Sequence, residues 1–581
     1  MLFMGLGKTL YNSSACLIED TGEGADIEIA LTERLLRKKA SGAWPEKALR
    51  ELEDRWNGRS LRLAENRDVL SVAEHEAALD RTFPLFEHLK NSGLAPFTRR
   101  FNSEIMTATH HLCHAMAAML TSPFERCLIV VQDGAGSSFE DWLEAANPEE
   151  ISAVHSKLDL GGETPAPGTH EECSVYFMEQ GQLTCVAKRW RKFEPHPRRP
   201  KSALSESVGI FYENCSEYVF NSSRSSGKVM GLAPFGTPLK LNGRAEFIRS
   251  LDWARSFQGK NKREWQESPN QKLFADIAAT AQQEFEKDYF LLLEEIRSAY
   301  PDVEHLILTG GCALNCTSNG KLVSQGVFRE VHVPPFPGDE CISLGAAALA
   351  YFREPGTTWK SMTHDRQHGY FGPKSSTPSP NEIESVFSEF EIIHPESITE
   401  YTAKELALGA VVGWFQGRSE SGPRALGNRS ILADPRVHGL KNTLNAKIKF
   451  REDFRPYGSS CLHEKAHEYF EVESGFNNPY MSFAVRTRTK FRELLAEVTH
   501  IDGTSRIQTV RHGQNPLFHE LLRAFGSQTG MYCLLNTSMN VMGEPIVESV
   551  EDARRFFSAT PIDGLAIGGY FIRRKGLSRT P

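Results

Sequence analysis

Two stretches of the chain repeat one pattern. "LFMGLGKTLYNSSACLIED" (2 to 20) and "CLIVVQDGAGSSFEDWLEA" (127 to 145) each run from an apolar strand through a turn of small polar residues into an expected return strand. An internally duplicated nucleotide-binding domain would produce this repeat. The surrounding sequence agrees. Short apolar runs that end in Gly or Asp alternate with amphipathic stretches, as in "HLILTGGCALN" (305 to 315), which is the alternation of an α/β fold.

At 581 residues the chain exceeds what one hydrophobic core serves, so more than one domain is expected. The boundary shows in composition: "EPGTTWKSMTHDRQHGYFGPKSSTPSPNE" (354 to 382) is rich in Pro, Gly, Ser and Thr and has no apolar periodicity. This places a first domain at 1–355, a linker at 356–395 and a second α/β domain at 396–581, with strand candidates at 409 to 417, 530 to 540 and 563 to 572. The apolar share is 40% and no long uncharged apolar run occurs, so no membrane partner is expected. The N-terminus lacks the features of a secretory signal, and the eleven cysteines form no CxxC pair, which together predict reduced thiols and a cytoplasmic location. A formal charge of −8 gives no attraction towards nucleic acid, and none is expected as partner. The basic stretch 188 to 202, "KRWRKFEPHPRRPKS", reads as a solvated loop in preference to a binding arm.

Candidate ligands stand in "TATHHLCHAMAAML" (107 to 120). On a helix His110 and His114 project from one face and reach one metal, whereas His111 points elsewhere. A zinc peptidase needs Glu at position 111 as base, so that reading fails. Buried histidines that only hydrogen-bond to neighbours are the plain alternative. Further ligands are sought at strand ends among glycines, where Asp133 in "VVQDGAG" and Asp339 in "PPFPGDECISLGAAA" stand. Such a set suits Fe(II), Zn(II) or Mn(II).

Glycine-rich turns supply a phosphate side. "SGKVMGLAPFG" (226 to 236) offers Gly227 and Lys228, and "TGGCALNCTSNGKL" (309 to 322) offers Gly310, Gly311 and Asn315; neither is a Walker loop, and both turns can also end strands with no ligand. Together they resemble the adenosine and phosphate loops of the actin-like ATPase (ASKHA) fold. In the second domain, "QGRSESGPRALGNRSIL" (416 to 432) carries Arg418, Arg424 and Arg429, forks that suit phosphate. Lys449, Arg451, Arg455, Ser505, Arg506, Asn536, Ser538 and Gly543 extend this set of cations and polar donors. A polyanionic small ligand accounts for such a cluster in an acidic chain; an internal salt-bridge network accounts for one or two of the arginines.

Nine ordered segments, "HHLCHA", "VVQDGAG", "GKVMGLAPFG", "GGCALN", "VPPFPGDECISLGAA", "QGRSESGPRALGNRSIL", "KFREDFRPYGSS", "TSRIQTV" and "LLNTSMNVMGEPIV", resemble the NodU/CmcH family of O-carbamoyltransferases over nearly the whole chain. The resemblance implies a duplicated ASKHA-type domain followed by a YrdC-like α/β domain. It implies a two-step reaction: carbamoyl phosphate and ATP, the latter with Mg2+, give carbamoyl adenylate in the YrdC-like domain, and the ASKHA-type domain passes the carbamoyl group to a hydroxyl of a small molecule or glycan. Arg418, Lys449, Arg451, Arg455 and Arg506 take catalytic roles in this picture. Lys39, Gly227, Lys228, Gly310, Gly311, Asn315, Arg424, Ser505, Asn536 and Ser538 bind nucleotide or phosphate, and His110, His114, Asp133 and Asp339 hold one divalent metal. The oligomeric state stays open, a homodimer included.

One departure from the family pattern stands out. Where members carry a His-Asp pair before "SA" in the first hairpin, this chain has Tyr11 and Asn12, and a tyrosine near pKa 10 is a poor base for an acceptor hydroxyl. Either Tyr11 is activated, or His111 takes the proton, or the acceptor needs little assistance, or activity is lost. Two rival functions are a threonylcarbamoyl-adenosine-type tRNA-modifying enzyme and a non-catalytic ASKHA-type binding protein. The acidic balance and the "GPRALG" segment argue against the first. The hydrogenase-maturation carbamoyltransferase needs an acylphosphatase segment and CxxC pairs that this sequence lacks.

Overall fold

A computed structural model describes residues 1–9, 12–21, 25–66, 105–151, 158–196, 198, 203–357 and 368–576. The chain divides into two units, Met1–Thr32 with Ser41–Met362, and Glu33–Ala40 with Thr363–Pro581.

In the first unit β1 (Leu2–Lys8), β2 (Ser13–Asp20), β3 (Ala25–Leu31), β4 (Leu61–Asn66) and β5 (Met106–Ala108) form a sheet in the order β3-β2-β1-β4-β5. A second sheet uses β6 (Arg126–Gln132), β7 (Thr169–Glu179) and β8 (Gln182–Lys192). After a small ribbon of β9 (Glu194–Pro195) and β10 (Ala203–Leu204), it adds β11 (His305–Thr309) and β12 (Glu330–His332), in the order β8-β7-β6-β11-β12. Both sheets have the same pairing: the opening strand is antiparallel to the second, the second to the third, and parallel to the fourth, which is parallel to the fifth. This is the duplicated α/β architecture of the actin-like fold. β1 is buried along its whole length and β6 everywhere but at Arg126, which is why both read as unbroken apolar runs instead of alternating ones.

Two buried helices bring the halves of this unit together. His110–Leu120 is buried at every position, and Ile342–Phe352 at all but Phe352. Their contact is close because both sides of the second helix meet glycine or main chain. A Cβ at Gly345 would stand 1.9 Å from the carbonyl oxygen of Cys113, and one at Gly5 on β1 would stand 1.8 Å from that of Ser343. Neither carbonyl belongs to a side chain that can swing away.

The second unit is built on one nine-stranded mixed sheet. Its strands are β13 (Glu391–Ile393), β14 (Val412–Phe415), β15 (Arg429–Ala433), β16 (Gly458–Leu462), β17 (Ala484–Arg486), β18 (Thr504–Val510), β19 (Cys533–Ser538), β20 (Gly564–Ile567) and β21 (Tyr570–Arg573), in the order β13-β21-β20-β14-β15-β19-β16-β18-β17.

Four details differ from the sequence reading. In the second copy of the repeat, the return strand waits until β7. Ser138 accepts the N–H of Asp141 and starts the helix Phe139–Ala145, whose acidic first turn suits a helix N-terminus. The stretch 563 to 572 is two strands, β20 and β21, because Gly568 takes a φ of +55° between them. The described part of the proposed linker is folded: Ser379 caps a helix Pro380–Val386 with Pro at its first position, and β13 pairs with β21. Lastly, Glu33–Ala40 belongs to the second unit. Arg34 donates to the carbonyl oxygens of Glu420 (2.5 Å) and Gly422 (2.9 Å), and Arg37 to those of Ile546 (2.7 Å) and Pro545 (3.0 Å). All eleven cysteines are buried free thiols, and no helix among the described residues is long and apolar enough to cross a membrane.

Gly345→Ala forces a methyl group into the Cys113 carbonyl and is expected to destabilise the protein by about 2 kcal/mol or more, the scale of overpacking a rigid contact. Gly227→Ala, whose new Cβ meets nothing, is the control. Thermal melts of the two variants check this, with only the first shifted down.

Candidate metal centre and cation cluster

Thr109 caps the helix His110–Leu120 by accepting the N–H of Leu112, and the next residue is His110. The helical spacing stacks His114 one turn on, and the two Nε2 atoms lie 3.2 Å apart. Asp133 follows β6. Its Oδ1 accepts the N–H of Gly134 (2.7 Å) and its Oδ2 that of Gly311 (2.9 Å), so its direction is set by main chain. Gly310, at φ +85°, permits this turn, since a Cβ there would stand 2.3 Å from the carbonyl oxygen of Gln132. Asp339 opens the turn Asp339–Cys341 that leads into Ile342–Phe352.

These four side chains converge. The Oδ2 of Asp133 lies 3.6 Å and 3.4 Å from the Nε2 atoms of His110 and His114, and the Oδ1 of Asp339 lies 3.6 Å from each. One ligand atom from each of the four fits within a 4.8 Å span. Bonds of about 2.1 Å to one ion put tetrahedral donors about 3.4 Å apart, so the separations fit a shared divalent cation. Two imidazoles with two carboxylates is a donor set for Zn(II), Fe(II) or Mn(II). Burial works to raise the Asp133 carboxyl, but its bonds to His110 and His114 hold it well below the usual carboxylate range. Burial likewise works to lower His114, and its bonds to Asp133 and Asp339 outweigh that.

Behind the helix lies a buried charge network that the sequence reading missed. The Lys188 ammonium donates to Glu150 (3.0 Å), to Glu171 and to Ser174 (3.1 Å). Glu150 accepts the Thr109 hydroxyl (2.8 Å), Glu171 accepts the N–H of Ser137 (3.2 Å), and the Ser137 hydroxyl accepts the N–H of His110 (3.0 Å). Arg189 and Arg191 pair with Glu172, and Arg189 also with Asp288. The start of the segment 188 to 202 is therefore the end of strand β8, with its cations neutralised inside, and not a solvated loop. Alternation of Lys and Arg with Trp190 was the signal available. His111 is fully enclosed: Nδ1 bonds the Ser174 hydroxyl at 2.8 Å, and a Cβ at Gly136 would meet Nε2 at 2.7 Å. Burial and the Lys188 charge push it well below the ordinary imidazole value, so it is neutral and turned away from the four ligands. Tyr11 lies outside the described residues.

The glycine-rich turns serve other partners than expected. Gly310 and Gly311 bring main chain against Gln132 and Asp133. The Oδ1 of Asn315 accepts the N–H of Ser318 as the cap of Cys316–Gln325, while its amide donates to Gln282 (3.0 Å). Gly227 is exposed at the start of a short helix, and the Lys228 Nζ stands 5.1 Å from the centre of the Phe220 ring.

In the second unit the three arginines of 416 to 432 divide. Arg429 is wholly buried, lies over the Phe415 ring and donates to the carbonyl oxygens of Ser376, Gln416, Gly417 and Asn428, so it braces the chain and is not a phosphate fork. Arg418 turns Nε and one Nη to the carbonyl oxygens of Gly372 and Phe371, bracing which the sequence reading did not foresee. Glu420 fixes the loop between them by accepting the N–H groups of Leu426, Asn428 and Arg429. Arg424 is half-buried. Ser505 donates to the Val498 carbonyl, and the Asn536 amide donates to Ser460 in a buried network, where both hold the sheet together.

The remaining cations gather with few acids among them. Lys449 donates to the carbonyl oxygens of Ser538 (2.6 Å) and Asn540 (2.9 Å), and to the Asn540 side chain (2.6 Å). Arg451 stacks on Tyr457, 3.9 Å from the ring centre, and donates to Asn445. Burial, then Arg451, Lys39 and Arg455, push the Lys449 ammonium well below its ordinary value; burial and Arg455 push Arg451 to about 10. Burial also lowers Arg455 despite the carboxylate of Glu452. Arg506 holds a buried Nε with no acceptor among the described residues. Burial is the first cause of all three shifts, and the neighbouring cations add to it.

Comparison with known proteins agrees with this division. Residues 46–348 match the family Carbamoyltransferase N-terminus, and residues 403–574 match Carbamoyltransferase C-terminus. The chain is 35% identical over 495 residues to nodulation protein NolNO of Sinorhizobium fredii, covering 82% of this chain and 65% of that protein. It is 34% identical to nodulation protein NolO of Bradyrhizobium diazoefficiens, covering 81% and 79%. A 3'-hydroxymethylcephem-O-carbamoyltransferase of Amycolatopsis lactamdurans is 34% identical over 311 residues, 53% of this chain and 55% of that one. The chain belongs to the carbamoyltransferase family, enzymes that transfer carbamoyl groups.

Proposed function

We propose that the chain is an O-carbamoyltransferase that works in two steps at two sites. With Mg2+, carbamoyl phosphate and water give carbamate and inorganic phosphate, and the carbamate oxygen attacks the α phosphorus of ATP to form carbamoyl adenylate and release pyrophosphate at the cation cluster of the second unit; the carbamoyl group then passes to a hydroxyl of a small molecule or glycan at the His and Asp cluster of the first, releasing AMP. The observation that carries this reading is the pair of unlike side-chain groups, a metal-type donor set in one unit and the neighbouring cations Lys449, Arg451 and Arg455 in the other.

Adenylate formation gathers two highly anionic reactants, and oriented cations that need no reorganisation stabilise the charge on the transferring phosphoryl group. Arg506, with its unpartnered Nε, and the half-buried Arg455 are the donors turned to substrate in this reading. Lys449 and Arg451 hold the 538–540 turn and Tyr457 in place and keep the local potential positive. In the first unit His110, His114, Asp133 and Asp339 would hold a divalent ion, which would supply positive charge opposite the leaving adenylate phosphate. Thr109, Ser137 and the Lys188 network orient the helix that carries both histidines, as partners of this kind tune metal ligands elsewhere. His111 is enclosed, so this reading assigns the acceptor proton to Tyr11, which matches the family histidine in sequence.

Two variants separate the steps without an acceptor in hand. Arg506→Ala is expected to slow carbamoyl-phosphate-dependent pyrophosphate release from ATP by about 100-fold or more, the scale of one charge-stabilising donor, with bound metal unchanged. Asp339→Asn is expected to lose metal, measured by elemental analysis after dialysis, and to keep pyrophosphate release. Loss of release in Asp339→Asn, or loss of metal in Arg506→Ala, contradicts the division of labour.

A further inference from the structure

The loop 420–428 carries Arg424, and its main chain is held by side chains from several separate parts of the second unit. The two Nη groups of Arg34 donate to the carbonyl oxygens of Glu420 and Gly422, while the Glu420 carboxylate accepts the N–H groups of Leu426, Asn428 and Arg429. The Asn536 amide donates to the carbonyl oxygen of Ala425 (3.3 Å) and the Tyr370 hydroxyl to that of Leu426 (2.7 Å). A further bond reaches the loop from β18, the strand of Arg506: the Gln508 Nε2 donates to the carbonyl oxygen of Leu426 at 2.8 Å. Gln508 is buried, and its Oε1 accepts the Ser460 hydroxyl (2.6 Å) and the Asn536 amide (3.3 Å), which leaves the NH2 group to face Leu426. Gln508 and Arg506 stand two apart on β18 and so lie on one face of the sheet. On the neighbouring strand β16, Gly458 leaves room beside that arginine: a Cβ there would stand 3.5 Å from the Arg506 Nε and 3.1 Å from its carbonyl oxygen.

β16 and β18 already pair through their main chains, so the sheet does not require the side-chain bond to Leu426. What that bond fixes is the place of the Arg424 loop relative to the strand face of Arg506. We propose that Gln508 is a positioning residue for adenylate formation, which sets Arg424 against Arg506 so that one anionic reactant meets both. The inference rests on assigning adenylate formation to the second unit. An amide suits the task, because it donates to the loop on one side and accepts from the sheet on the other without placing a carboxylate beside the arginines. Small displacements matter here: a shift of about 1 Å in a positioning group lowers a rate on the order of 100-fold.

Kinetics of carbamoyl-phosphate-dependent pyrophosphate release are the readout. Gln508→Met, which keeps the length but neither the donor nor the acceptor, is expected to lower kcat/KM for ATP about tenfold or more. Arg424→Ala is expected to lower it about 100-fold, the scale of one charge-stabilising donor. Because Gln508 acts through Arg424, adding Gln508→Met to Arg424→Ala is expected to cost nothing further, whereas a general structural role makes the two losses multiply. Gln508→Glu keeps the oxygen that faces Ser460 and donates to Leu426 only while protonated, so its rate relative to the unaltered protein is expected to fall as the pH rises. Unchanged kinetics in Gln508→Met, losses that multiply, or Arg424→Ala without effect each overturn the inference. Should Gln508→Met fail to fold, the pH profile of Gln508→Glu decides, and a ratio that stays flat overturns it. If the unaltered protein releases no pyrophosphate, the assignment of adenylate formation to this unit fails, and the role of Gln508 falls with it.

Discussion

The meeting of His110, His114, Asp133 and Asp339 depends on a helix that touches its neighbours at main-chain distance. Ile342–Phe352 lies against β1 at Gly5 and against His110–Leu120 at Gly345, each contact closed by a carbonyl oxygen that a side chain at the glycine would strike. Only at this separation does Asp339, at the start of the one helix, reach His110 and His114 at the start of the other. The duplication of the sheets supplies the symmetry that sets the two helices side by side. Asp133 completes the set because β6 ends where the turn at Gly310 and Gly311 offers it a main-chain N–H. Close packing thus precedes chemistry: four ligands from three separate parts of the sequence meet because two helices and a strand end cannot sit anywhere else.

The second unit solves a different problem. Lys449 and Arg451 are held inside by carbonyl and amide oxygens, not by carboxylates, whereas Arg455 pairs with Glu452. The first two are each satisfied as a donor and each depressed as an acid-base group. A carboxylate in the same place would cancel the field that an anionic substrate needs. Glu420 is the contrast: its charge is spent on three N–H groups of its own loop, where it shapes the chain instead of meeting the cations. The segment Glu33–Ala40, drawn from the far end of the sequence, adds Lys39 to the same field.

What the sequence could and could not disclose follows from the range of each interaction. His110 and His114 were legible because helix periodicity is local, and Asp133 and Asp339 because strand ends among glycines are recognisable sites. The arginines were not separable by sequence: Arg429 and Arg506 look alike as letters and both keep a buried Nε without an acceptor, yet the two Nη groups of Arg429 are taken up by four carbonyl oxygens. Lys188 looked like part of a surface run because its partners stand elsewhere in the chain: Glu171 meets it when β7 and β8 pair, and Glu150 comes from the helical turn Pro148–Ile151. The transfer of Glu33–Ala40 to the second unit was hidden for the same reason, since Arg34 finds Glu420 and Glu548 hundreds of residues away.

The nucleotide product tests the two-site reading most directly. Actin-like domains that act as kinases cut ATP between the β and γ phosphates, whereas formation of an adenylate cuts between α and β. Phosphorus NMR of the metal-loaded protein with ATP, Mg2+ and carbamoyl phosphate distinguishes these outcomes in one spectrum. Pyrophosphate together with carbamoyl adenylate, or the AMP left by its hydrolysis, formed only when carbamoyl phosphate is present and with the inorganic phosphate that carbamoyl phosphate releases, is the predicted outcome. ADP with inorganic phosphate would contradict adenylate formation in the second unit and return the chemistry of ATP to the duplicated first one.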